Sequence, residues 1–180
     1  MLDDFRNAIA GHIKGLLPHL RECRPHAGRF DLAELKRLAA RTPAVYIAIL
    51  GVPQSENPGS GELDLELAMA AHIVTADTRG LARDVSALNL AQTLISRIYG
   101  NRWGVKWAFP AQKVKGQNLY SGNIDRVGVA MWGVSWRQKV RLGESSWADE
   151  GSVPAELYAS FDPAIGADHE ADYTKVHPEE

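Results

Sequence analysis

Residues 63–75 (LDLELAMAAHIVT) constrain the fold more tightly than any other stretch of this chain. Leu63, Leu65, Leu67, Met69, Ala71 and Ile73 fall on every second position. Side chains two apart in a strand share a face, so the run predicts one long β-strand carrying a continuous apolar stripe. The other face holds Asp64, Glu66, Ala68, Ala70 and His72, acidic at one end and nearly bare at the other. Just upstream, residues 44–50 (AVYIAIL) are apolar on both faces, as a strand covered on two sides requires. Residues 51–62 (GVPQSENPGSGE) between them are rich in Gly, Pro, Ser and Asn, which is loop chemistry. The unit reads as an antiparallel hairpin with a long tip.

Helical spacing dominates elsewhere. Phe5, Ile9, Ile13, Leu16, Leu17 and Leu20 form one apolar face, predicting a helix over residues 2–20 with Asp3 and Asp4 in its first turn. Residues 21–29 contain Pro25 and Gly28 and read as a connection. Asp31 followed by Glu34 marks the capping box of a short second helix, which should end near Arg41 because Pro43 disfavours the α region at Thr42. A third helix should start at Asp77 or Thr78 and run to Tyr99, stopped by Gly100 and Asn101. Its expected sheet-facing side is Leu81, Val85, Leu88, Ile95 and Ile98, with Ala91 or Gln92 filling the gap. Residues 102–110 are ambiguous between strand and loop. Residues 112–120 read as a short strand, 121–123 as a turn, and 126–142 as a second long strand. In that strand Val129 and Met131 share one face, and Trp132, Val134 and Trp136 the other, with both tryptophans expected under a helix layer.

Length and composition bound the class. The chain has 180 residues and is 45% hydrophobic, enough for one cored domain and short for two. Its net charge of −2 hides a split. Residues 1–142 hold 19 Lys/Arg against 12 Asp/Glu, giving +7, whereas residues 143–180 hold one Lys against ten Asp/Glu, giving −9. Such halves attract each other within or between chains. The expected architecture is therefore an α+β domain over residues 1–142, a mostly antiparallel sheet flanked by helices. An extended acidic arm follows over residues 143–180. The arm lacks helix or strand periodicity, yet Trp147, Val153, Leu157, Tyr158, Phe161, Ile165 and Tyr173 dot it with apolar anchors that pure disorder would lack. Cys23 stands alone, which rules out an internal disulfide and points to a reducing compartment. No apolar run approaches the ~20 residues of a membrane-spanning helix. Asp3 and Asp4 have the wrong sign for a secretory leader, so the expected home is a cytoplasm or a particle assembled in one.

No catalytic set emerges. His169-Glu170 begins like a zinc-protease motif, but position 173 is Tyr. His12 and His19 are seven apart with no third ligand spaced to join them. Gly59-Ser60-Gly61 lacks the Lys-Ser or Lys-Thr of a phosphate loop, and Gly133-Val134-Ser135 lacks the second glycine of a nucleophile elbow. Asp64 and Glu66 are better read as a solvated acidic face than as paired acid and base. Arg102, Lys106, Lys113 and Lys115 interleave with Trp103, Trp107 and Phe109, a mixture that can stack single strands over a charged groove or, alternatively, send its tryptophans into the core.

Two groups of motifs carry a resemblance. Asn118-Leu119-Tyr120-Ser121 and Gly128-Val129-Ala130-Met131-Trp132-Gly133-Val134-Ser135-Trp136 lie in the body. Val153-Pro154-Ala155-Glu156-Leu157-Tyr158, Phe161-Asp162-Pro163 and His169-Glu170-Ala171-Asp172-Tyr173 lie in the arm. Together with the order of elements, they resemble the Mu-like phage tail-terminator family. The resemblance implies a structural virion protein without enzyme activity or cofactor. It would form a ring, expected to be hexameric, that caps the tail tube, stops its polymerisation and receives the DNA-filled head.

The implied partners are the tail tube protein, a head–tail connector protein and double-stranded DNA passing through the lumen, with no membrane. The implied location is the head-proximal end of the tail, assembled in the host cytoplasm. On this reading Trp147, Leu157, Tyr158, Phe161 and Tyr173 are inter-subunit anchors. Pro53, Glu56, Asn57 and Pro58 form a partner-docking loop, and Asp64 and Glu66 face the lumen. The alternatives are another head–tail connector or tail-completion ring, a nucleic-acid-binding protein using residues 102–115, and, more distantly, a hydrolase using His169, Glu170 and Asp172.

Overall fold

Five strands form the central sheet of the computed structural model, which describes residues 1–119, 121–146 and 156–176. Their order is β1 (Glu22–Pro25), β2 (Ala44–Glu56), β3 (Leu63–Ala76), β5 (Val129–Leu142) and β4 (Gln112–Asn118). Only the β1–β2 pair is parallel; the others are antiparallel. β3 is the central strand, pairing with β2 on one side and with β5 along its whole length on the other, from Leu63↔Leu142 to Ala76↔Val129. Period-two patterning sets this register, because a one-residue slip would turn every apolar side chain outward.

The stripe of β3 faces α1 (Leu2–Leu16) and α3 (Arg83–Ile98). Phe5, Ile9 and Ile13 of α1 and Leu94 and Ile98 of α3 close over Val45, Ile47, Leu67, Met69, Ile73, Val134 and Trp136. Fully burying a Leu, Ile or Phe contributes roughly 1.5–3 kcal/mol, so this layer dominates the stability of the domain. A smaller core covers one end of the opposite face. There α2 (Leu32–Ala39) packs Leu35 and Leu38 on Tyr46, Val74, Val129 and Met131, beside the short α4 (Gly122–Arg126). Asp31 caps α2 as its position before Glu34 predicts, accepting the Glu34 N–H at 2.7 Å. The two faces of β5 divide as the alternation requires: Val129 and Met131 go to the small core, Val134 and Trp136 to the large one. Trp136 is buried, and Trp132 is half-buried against the same cluster.

Several boundaries differ from the sequence expectation, each for a local reason. α1 ends at Leu16, not Leu20, because Pro18 forces Leu17 out of the helical region, to φ −125° and ψ 70°. Leu17 and Leu20 nonetheless stay buried. The expected connection at 21–29 contains β1, whose four residues are too few to show a period. α3 starts at Arg83, since Gly80 (φ 84°) closes a turn in which Thr78 and Leu81 exchange backbone hydrogen bonds. Asp77 still serves the helix, its Oδ1 accepting the Arg83 N–H at 2.9 Å. Residues 121–123 open α4, with Ser121 as its cap.

The face of α3 that packs on the sheet is also not the expected one. Ala87, Leu90, Ala91, Leu94 and Ile98 are buried, whereas Leu81, Val85 and Leu88 are exposed. Of the expected set, Ile98 and the gap-filling Ala91 are fully buried, and Ile95 is half-buried.

The chain divides into two units, Met1–Ser145 and Ser146–Glu180. Within the second, β6 (Leu157–Ala159) pairs antiparallel with β7 (Thr174–Val176) around a 3-10 segment, Ala167–Asp172. None of its described residues, 156–176, is buried.

Candidate functional site

The paired ends of β2, β3 and β5 carry a ladder of opposite charges on the sheet face turned away from the large core. The antiparallel register sets Glu56 across from Asp64 on one side of β3, and Arg141 across from Asp64 and Lys139 across from Glu66 on the other. Opposite charges directly or diagonally across a ladder attract. Arg141 grips Asp64 with two nitrogens, at 2.7 and 3.0 Å. Lys139 reaches Glu56 at 2.8 Å, and Arg137 and Lys113 approach Glu66 at 3.6 and 3.9 Å. Phe109 lies under the Arg141 guanidinium, 5.4 Å from its ring centre. The Arg141 hydrogen bonds hold the Asp64 carboxyl below its usual range, outweighing burial; the one that Lys139 donates to Glu56 raises Lys139.

This arrangement sets what the sequence candidates can offer. Asp64 is only 6% exposed, and its carboxylate is committed to Arg141; Glu66 is half-buried beside Arg137 and Lys113. Neither is a bare solvated acid. Glu56, Glu62, Asp64 and Glu66 face four cations, Lys113, Arg137, Lys139 and Arg141, so the ladder balances to zero net charge. The expected tip loop is shorter than its composition predicts. β2 continues through Pro53 to Glu56, with register irregularities between Ile49 and Gln54, because β3 offers it a ladder. Asn57 and Pro58 remain in the turn, where Asn57 Oδ1 accepts the Gly59 N–H at 2.8 Å. All four tip residues are exposed.

Beneath the ladder lies a side chain that sequence reasoning missed. Gln138 is fully buried, although it sits in a run of alternating basic residues. Its Oε1 accepts the indole N–H groups of Trp103 and Trp136, both at 3.0 Å, and its amide nitrogen donates to the carbonyls of Phe109 and Asn101. One amide thereby fastens the 101–109 loop to the sheet. Trp103 pays with a left-handed backbone (φ 59°) to enter the core. A buried Trp103 has no free face for stacking bases. Trp107 packs on Phe5, ring centres 5.3 Å apart. The only available signal was a glutamine at an inward position of a strand otherwise apolar on that side.

In the arm, Leu157, Tyr158 and Phe161 are exposed, Phe161 at 85%, and Tyr173 is half-buried. Tyr158 and Tyr173 line a cavity of about 570 Å³ together with Gly166, Ala167 and Glu170. Trp147 lies outside the described residues. His169 Nδ1 meets Asp172 at 3.0 Å on the surface. Among the described residues, no group of three or more His, Cys, Asp or Glu side chains is placed to hold a metal ion, and no helix is long and apolar enough to cross a membrane. Cys23 is half-buried, and burial pushes its thiol up to about 12, so it stays protonated and unreactive.

On the small-core face, His72 lines a cavity of about 680 Å³ with Phe30, Leu35, Leu119, Ile124 and Met131. Both its ring nitrogens are sealed from solvent without a hydrogen-bond partner. Burial, with a smaller push from His26, lowers its pKa to about 4.

Comparison with known proteins places these features in a family context. A family model described as "Bacteriophage Mu, Gp37" matches residues 1–140, which span the sheet and its helices up to the ladder end of β5. The chain is also similar to "Mu-like prophage FluMu protein gp37" of Haemophilus influenzae (strain ATCC 51907 / DSM 11121 / KW20 / Rd). The two are 28% identical over 135 residues, covering 74% of this chain and 67% of that protein.

Proposed function

The chain belongs to the bacteriophage Mu Gp37 family, and on that premise we propose that it is a structural tail terminator. In this reading it forms a ring, expected to hold six copies, at the head-proximal end of the tail. The ring caps the tube protein, ends its polymerisation and receives a connector protein of the head. It performs no catalysis and needs no cofactor.

The observation that carries the reading is the arm. Its described residues bury nothing of their own, yet they expose Leu157, Tyr158, Phe161 and Ile165. A segment of this size without a core gains order only by covering another surface. Residues 1–142 carry +7 and residues 143–180 carry −9, which draws the arm of one copy toward the body of the next. Head-to-tail contacts of this kind close into rings when the rotation allows. The charge-balanced ladder supports a lumen-facing role for the β3 face bearing Asp64 and Glu66. DNA sliding through such a ring meets no net cationic lining to hold it, and phosphate affinity scales with the number of cations offered. The tip with Pro53, Glu56, Asn57 and Pro58 would then meet the neighbouring ring, since an exposed turn tolerates the shape changes of docking.

Light scattering across concentrations, with and without tail tubes, tests the reading. The expected result is a hexamer, or a smaller species that becomes one on tubes. Deleting residues 146–180 should abolish the ring while leaving the thermal transition of the body within a few degrees. Full rings from the truncated chain would refute the arm's role. A strict monomer indifferent to tubes, yet retained on DNA at low salt, would replace the terminator reading with nucleic-acid binding.

A further inference from the structure

We infer that the outer face of α3 is the docking site for the arm of a second copy of this chain, with Phe161 as its anchor. This inference rests on the ring reading above and names the two surfaces that meet.

α3 carries two apolar stripes. The buried one, Ala87, Leu90, Ala91, Leu94 and Ile98, is consumed by the sheet. The other consists of Leu81, just before the helix, then Val85, Leu88 and Tyr99, with the polar Gln92 between them and Ile95, half-buried against the large core, at its inner edge. Its spacings alternate four and three, the repeat of a helix seam that packs against a partner. Leu88 is 50% exposed and Tyr99 is 73% exposed, and no element of the body buries either. A surface helix with a single partner keeps its outer face polar; this one does not.

A groove of about 410 Å³ runs beside the start of that stripe. Leu81, Leu17, Pro43 and Leu90 give it apolar walls, and Asn89 and Thr93 offer polar groups along its rim. The volume accommodates an aromatic ring with its flanking backbone.

The same chain supplies what such a surface needs. Among the described residues, Leu157, Tyr158, Phe161 and Ile165 are the exposed large apolar residues of the arm before its 3-10 segment, and they sit in the acidic half of the molecule. The charge split favours a basic body as the arm's partner, and every body in a ring of identical copies is also an acceptor. A foreign partner would leave two unpartnered apolar sets in one chain, each needing a separate cover.

Disulfide trapping tests the pair. Chains carrying Leu88→Cys and chains carrying Phe161→Cys are purified separately, mixed and oxidised mildly. Cys23 can stay, because its half-buried, protonated thiol is a poor competitor. The expected product is a linked dimer that forms only in the mixture. A Val85→Asp chain should assemble at least tenfold more weakly, with its thermal transition unchanged.

Four results would separate the possibilities. Faster linking of Leu88→Cys to itself would show that the stripe pairs with its own copy and overturn the inference. Linking inside a chain bearing both cysteines, without linking between chains, would overturn it in favour of an arm folded onto its own helix. Absence of any link in solutions that scatter light as rings would sink the docking and leave the ring standing. Links in a mixture that never grows beyond dimers would uphold the docking and remove the ring.

Discussion

Replacing Gln138 by leucine is expected to destabilise the body by about 4 kcal/mol, the largest effect of any single substitution outside the apolar core. The volume is nearly conserved, so the loss comes from hydrogen bonding. The indole N–H groups of Trp103 and Trp136 and the carbonyl of Phe109 would lose their partner, whereas the Asn101 carbonyl would keep the Ala111 N–H. Each buried polar group left unpaired costs roughly 1–3 kcal/mol, and part of that is recovered where the loop loosens enough to admit water. Urea unfolding should show a lower midpoint at an unchanged slope. Amide exchange should rise first over residues 101–109, whose hold on the sheet is this amide together with the Phe109 and Arg141 backbone hydrogen bonds. A loss below about 1 kcal/mol would mean that water substitutes for the amide without strain, contrary to its complete burial.

Acidification should cost nearly as much through His72. Its imidazole titrates near 6.5 when unfolded and near 4 in the native protein. Between those values the unfolded chain takes up a proton that the native chain refuses. Stability is therefore full above pH 6.5 and declines as the pH falls toward 4, by about 3 kcal/mol in all. The groups around the ring cannot rescue the cation. His26 is engaged by Glu34 at 3.0 Å, and the Tyr46 hydroxyl is tied to Glu22 at 2.6 Å. Burial alone would raise Glu22, but the hydrogen bonds from Tyr46 and Arg41 outweigh it and hold it low. Its own contribution is therefore lost only below the ordinary carboxylate range. Comparing the wild type with His72→Leu isolates the histidine. The variant should lose stability less steeply between pH 6.5 and 4 and match or exceed the wild type near pH 5. Identical slopes in the two proteins would show that His72 protonates in the native state at no penalty.

Both sites were hidden in plain residue types. Gln138 occupies a strand position whose neighbours Arg137 and Lys139 advertise a solvated edge, and nothing local says that two indoles converge on it. His72 lies on the face of β3 that reads as bare. The packing of Phe30 against it, ring centres 4.9 Å apart, together with Leu35, Leu119, Ile124 and Met131 around it, closes the space above. The ion ladder was half legible. Acids at 64 and 66 and bases at 137, 139 and 141 share a period of two, but their pairing depends on a register across more than seventy residues of chain.

The sequence by itself determined what is local and periodic. It specified the long β3 and its apolar face, the division of β5 between two cores, and the capped start of α2. It also carried the charge split between body and arm. These follow from side chains two, three or four positions apart, which interact whatever the rest of the chain does. Only the tertiary structure decided which stripe of α3 faces the sheet. The two stripes lie about a third of a turn apart and are similarly apolar, so the helix alone has no preference between them. Packing chose the one with Ala87 and Ala91, whose small side chains let the helix approach the strands closely, and left Leu81, Val85 and Leu88 facing outward.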